Sequence, residues 1–119
     1  MNAVVSAGAS GAGASPYFDA TVDETATQIK GSAGNLYKLH IENKDGSIRY
    51  LQLFDSLAAS VTVGTTTPDY VIPLLATGIH EETFEVGLKF NTGISYALTT
   101  TPTGSTGPTS DGVLSAAYA

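Results

Sequence analysis

Side chains able to move protons or hold a metal are few in this sequence, and they are scattered. His40 and His80 are its two histidines, and His80 is followed by Glu81 and Glu82. A His-Glu-Glu run offers nitrogen and oxygen ligands. It lacks the i, i+4 histidine spacing of a helical zinc site, and no third, distant ligand can be named. Asp55, Asp69 and Glu85 are the carboxylates from which an acid/base pair for glycoside hydrolysis would be drawn, yet no spacing singles out two of them. No Gly-x-Ser-x-Gly elbow marks an activated serine. The glycine-rich stretches Gly8–Gly13 and Gly104–Gly107 lack the Gly-Lys-Ser/Thr ending of a phosphate loop, and no EF-hand loop occurs. The sequence names no catalytic residue, no cofactor site and no metal ligand, and it is read as non-enzymatic.

Composition narrows the remaining classes. The chain has 119 residues, enough for one domain, with 42% hydrophobic and only 13% charged residues. Its surface must therefore be wetted by hydroxyls and backbone more than by ions. Five Lys and Arg stand against eleven Asp and Glu, a formal charge of −6 that opposes binding to nucleic-acid phosphates. There is no cysteine, hence no disulfide or thiolate chemistry. The start lacks the basic region and apolar run of a secretion signal. No stretch approaches the roughly 18 apolar residues of a membrane span, so a soluble protein is expected.

The elements that would position any site are β-strands. Thr25–Lys30, Leu36–Asn43, Ser47–Phe54, Tyr70–Leu75, Glu82–Val86, Ile94–Thr100 and Gly112–Tyr118 are β-prone runs separated by Gly, Pro, Asn and Asp turn residues. Asp45-Gly46 between two alternating runs reads as a hairpin turn. Asp55 is placed to cap a single helical turn over Asp55–Ser60. Residues 1–15, almost wholly Ala, Gly, Ser and Val, are expected to be an N-terminal arm, and residues 16–119 the domain. The expected fold is a single all-β sandwich, jelly-roll or Greek-key-like, of seven or eight strands with an extended arm.

Strand faces carry the functional expectation. Tyr37, Leu39 and Ile41 alternate with Leu36, Lys38, His40 and Glu42, which makes a half-buried strand. By contrast, Ile48, Tyr50 and Phe54 oppose Leu51 and Leu53, and Tyr70, Ile72 and Leu74 oppose Val71 and Leu75, so both faces are apolar there. A small sandwich buries only the inner face of each sheet, and the second apolar face then calls for another protein surface. Tyr50, Phe54, Tyr70 and Ile72 are the expected subunit interface.

A stretch covering about three-quarters of the chain resembles small tailed-phage virion structural proteins. It runs through Ala26–Asn43, Tyr50–Asp55, Val63–Pro68, Val71–Pro73, Phe90–Ser95, Thr103–Pro108 and Tyr118. The resemblance implies a virion-associated β-sandwich, with capsid decoration, or cement, as a known role of such domains. Several expectations follow from it: bridging of capsomers on the capsid exterior, the major capsid protein as partner, self-association as a homotrimer, and no nucleic acid, membrane or cofactor. The alternative is a tail, neck or fibre head domain that touches a host receptor or glycan through Gly64–Pro68 and Thr101–Gly107.

Overall fold

The computed structural model describes residues 13–119. Eight strands follow in chain order: β1 Ser15–Val22, β2 Thr27–Lys30, β3 Gly34–Asn43, β4 Arg49–Phe54, β5 Tyr70–Leu74, β6 Gly78–Phe90, β7 Ile94–Thr99 and β8 Gly112–Tyr118. They form two four-stranded sheets with orders β1-β8-β3-β6 (sheet A) and β2-β7-β4-β5 (sheet B), packed face to face. Every pairing is antiparallel. β1 pairs with β8, β2 with β7, β3 with β6 and β4 with β5. The chain is thus one long antiparallel ribbon, with the β4–β5 connection at its tip, rolled up into two layers. That is the strand order of a jelly roll.

Inward side chains make one core, among them Leu39, Ile41, Leu51, Leu53, Leu98 and Leu114. Across the open edge of the sandwich, Tyr70 on β5 meets Phe84 on β6 edge to face, with centroids 5.7 Å apart. Such a pair closes the gap between two edge strands with apolar surface.

The structure departs from the sequence expectations at particular places. β1 was not expected, and β6 runs well beyond Glu82–Val86 at both ends. Residues 1–12 of the expected arm lie outside the described residues, and Ser15 already belongs to β1. Asp45-Gly46 does not turn a hairpin. β3 belongs to sheet A and β4 to sheet B, so this segment carries the chain from one layer to the other. Leu36 faces the core instead of solvent, because a bulge between Leu36 and Lys38 switches the phase of β3. The turn after β4 is a short 3-10 segment, Ala58–Ser60, whose N-cap is Leu57 rather than Asp55.

Candidate functional site

The residues singled out for chemistry are not brought together. His40 Nε2 lies 3.6 Å from Glu81 on the outer face of sheet A, and His80 Nε2 lies 2.9 Å from Glu82 on the edge strand β6. Each histidine has one glutamate. Among the described residues no group of three or more His, Cys, Asp or Glu could hold a metal ion.

Three of the carboxylates serve the backbone. Asp55 accepts the amide hydrogens of Asn91, Thr92 and Gly93 at 3.0, 2.8 and 3.4 Å and so fixes the β6–β7 turn. Burial works to raise its pKa, but these three donors outweigh it and hold the carboxyl below its ordinary value. Asp69 accepts the Asp55 amide at 2.7 Å, while Glu85 belongs to β6. Asp45, expected only as a turn residue, is buried and accepts from Arg49 Nε at 2.7 Å and from the Thr109 and Ser110 amides at 2.8 and 2.7 Å. Burial again works upward on its pKa, and the Thr109, Arg49 and Ser110 hydrogens together bring it below the usual carboxylate range. Carboxylates filled by fixed donors stay ionised and cannot shuttle protons near neutral pH.

A third cluster escaped the sequence reading. Tyr96 on β7 donates to Asp19 on β1, and its hydroxyl lies 2.7 Å from that of Tyr17. Burial, with the bonds to Asp19 and Tyr17, pushes the Tyr96 phenol far above its ordinary value. The cluster ties the edge strand of sheet A to sheet B. Its signal in the sequence was the Tyr17-x-Asp19 alternation, which puts both side chains on one face of a strand.

The second apolar face on sheet B is real, and the chain covers it itself. Gln52 and Phe54 on the outer side of β4 are fully buried, as are Ser95, Ala97 and Thr99 of β7. Two loops make the roof. The segment after β4 is pinned by Ser95 Oγ donating to the Ser56 carbonyl at 2.8 Å and by the Ala58 amide donating to Gln28 at 3.1 Å. The segment after β7 receives the Gln52 amide, which donates to Thr99 Oγ1 at 2.7 Å and to the Gly104 carbonyl at 3.1 Å. The loops meet where Gly64, at φ +92°, packs on Ser105. Two of the four expected interface residues offer no surface: Phe54, 0% exposed, lies under this roof, and Ile72, 3% exposed, belongs to the core between the sheets. Tyr50 is half-buried, and Tyr70 is 38% exposed at the sandwich edge.

Sheet A has no such roof among the described residues. Cross-strand rows run Phe18, Ser115, His40, Glu81 and Pro16, Ala117, Lys38, Thr83 over its outer face, and Glu42 pairs with Val113 and Ile79. Phe18 is 66% and Ile79 64% exposed at opposite sides of this face. The outward residues of β8 are small, so a trough of about 320 Å³ opens over Ser115 and Ala117 and is bounded by Lys38 and His40. An open face with apolar flanks and a shallow floor can hold a protein segment, and it has no enclosed volume for a small substrate. In comparisons with known proteins, the chain matches no family, no curated protein and no solved structure.

Proposed function

We propose that this chain is a non-enzymatic virion structural protein, a capsid decoration protein that bridges and braces capsomers on the capsid exterior. Its partners in this reading are the major capsid protein and two further copies of itself. The observation that carries the proposal is the asymmetry of the sandwich: sheet B is roofed by its own loops, while sheet A presents Phe18 and Ile79 on an open face. An adhesive protein needs such a face, and it needs no reactive side chains. Jelly rolls recur in viral capsid and lectin domains, which fits the reading. Closed three-fold symmetry would cover apolar surface in each copy at once, and many weak contacts on one lattice add up through multivalency. The test is quantitative mass spectrometry of purified virions carrying this gene product. Hundreds of copies per particle, with heat-induced DNA loss from particles lacking it, are expected; a handful of copies would reject the decoration role.

The loop cluster supports a second reading. Thr65, Thr67, Thr101, Thr103 and Ser105 are exposed on the two loops that meet at Gly64, so hydroxyls from distant parts of the chain share one patch. A tail, neck or fibre head domain would use that patch on a host glycan. A glycan array separates the two, because a decoration protein gives no saccharide-specific signal.

A further inference from the structure

The outer face of sheet A carries a pattern that matches itself when reversed. On β3 the outward side chains are Lys38, His40 and Glu42, so a cation and an anion stand on either side of His40, each about 6.8 Å from it along the strand. On β8 the residues paired with these three are Ala117, Ser115 and Val113, a small side chain beside the cation and a larger one beside the anion. The row Phe18, Ser115, His40, Glu81 crosses the face between them. Lys38 is exposed and Glu42 half-buried, and neither has an ion-pair partner among the described residues.

We infer that this face pairs with the same face of a second copy, about a two-fold axis that runs along the row from Phe18 to Glu81. Rotation about that axis turns one sheet over and reverses its strands. Lys38 of each copy then opposes Glu42 of the other, and Val113 of each enters the hollow over Ala117 of the other. Both contacts form twice, as an isologous interface requires. Facing sheets lie about 10 Å apart, a gap that a lysine and a glutamate bridge from opposite sides. Phe18, 66% exposed, is covered by Phe18 of the second copy at one end of the row. At the other end each Glu81 keeps its own His40 at 3.6 Å.

The charge pattern singles out this axis. A two-fold parallel to the strands, between β8 and β3, would set Phe18 against Glu81 and Glu42 against Val113, leaving apolar side chains on carboxylates and Lys38 without an anion. Four strands by five residues measure about 19 by 17 Å, which places the contact in the small, transient class. The inference goes beyond the virion proposal and needs no particle: away from a capsid, the pair covers the surface that the proposal assigns to adhesion.

Sedimentation equilibrium of the purified full chain should show monomers giving way to pairs as its concentration rises from roughly 10 μM to 1 mM. Lys38→Glu puts two like-charge contacts into the pair, as does Glu42→Lys, so each variant alone should associate more weakly by about tenfold or more. Mixed in equal amounts, the two variants should pair as tightly as wild type, because each chain then meets the opposite charge at both places. The double variant Lys38→Glu/Glu42→Lys should pair with itself and not with wild type. Wild-type chains that stay monomeric or form trimers, single variants that associate like wild type, or a mixture and a double variant that stay monomeric would each overturn the inference. Trimers would leave the virion proposal standing, whereas a handful of copies per particle would reject that proposal without touching this pairing.

Discussion

The hydroxyls of Tyr17 and Tyr96 lie 2.7 Å apart, with their rings edge to face at 5.9 Å and 79°, joining strands far apart in the chain. Tyr96 passes its own hydrogen to Asp19 and accepts one from Tyr17, so one phenol completes two partners. Tyr96→Phe keeps the ring and removes both bonds. A hydrogen bond contributes about 0.5–1.5 kcal/mol, and about 1.5–3 kcal/mol when one partner is charged. The variant should lose stability in that range by urea denaturation, whereas Tyr17→Phe, at a half-exposed position, should lose less. Equal stabilities for wild type and Tyr96→Phe would show that the cluster does not hold β1.

Acid should loosen the loops before neutral pH does anything to them. Asp45 and Asp55 both have carboxyls held below their ordinary value in the folded chain. A depressed carboxyl contributes its full stability above the unfolded pKa, about 3.9, and that contribution is lost as pH falls through the lower folded value. From these two groups, stability should be level between about pH 5 and 7 and should drop below about pH 4. Asp45→Asn also strands Arg49, whose side chain is 14% exposed beside a carboxylate only 2% exposed. Breaking a buried pair costs about 3–5 kcal/mol. The variant should unfold at lower urea and show a shallower acid limb. An acid limb identical to that of wild type would remove Asp45 from the account.

How far the fold could be read in advance depended on whether the information was local. Alternation grouped Leu51 with Leu53 and Ile72 with Leu74 correctly, because each strand's period is written in its own residues, but it did not say which face is inner: Ile72, expected at the subunit interface, lies in the core. β1 was missed because Pro16, Asp19 and the Ala20-Thr21 pair give it little β character, and β8 and the Tyr96 bond supply the rest. The Asp45-Gly46 signal is local, but the choice of sheet partner is not; β4 finds β5 and β7, both distant in sequence. The dryness of Phe54 was legible as a second apolar face; that of the polar Gln52 was not. What covers them was not, since the roof depends on segments 55–68 and 100–111 meeting at Gly64 and Ser105.

That meeting point makes a paired prediction. An added Cβ on Gly64 would lie 2.7 Å from Ser105 Cβ, at a φ of +92° that side-chain-bearing residues avoid. Gly64→Ala should therefore destabilise by about 1–3 kcal/mol, the range for strained backbone. Gly46 has open space around it and no positive φ, so Gly46→Ala should be neutral or gain about 0.4–1 kcal/mol by restricting the unfolded chain. Thermal melts of the two variants should move in opposite directions or leave Gly46→Ala unmoved. A destabilised Gly46→Ala would mean that Asp45-Gly46 is a positive-φ turn after all.

The last prediction separates folding from adhesion on the two faces of the molecule. Phe54 is wholly buried under the roof of sheet B, so Phe54→Asp places a charge where no partner waits and should abolish folding. Phe18 and Ile79 stand on the open face of sheet A, where replacement changes stability by only about 0.5 kcal/mol. Phe18→Asp and Ile79→Asp should thus give circular dichroism spectra and melting temperatures close to wild type. They should nevertheless release the protein from virus particles, or from its own oligomers, because each sets a carboxylate in place of one of the two apolar flanks of that face. Sedimentation of each variant with particles lacking the endogenous protein measures this. If both charged variants bind like wild type, adhesion does not run through sheet A, and the exposed loops around Gly64 and Ser105 become the surface to examine.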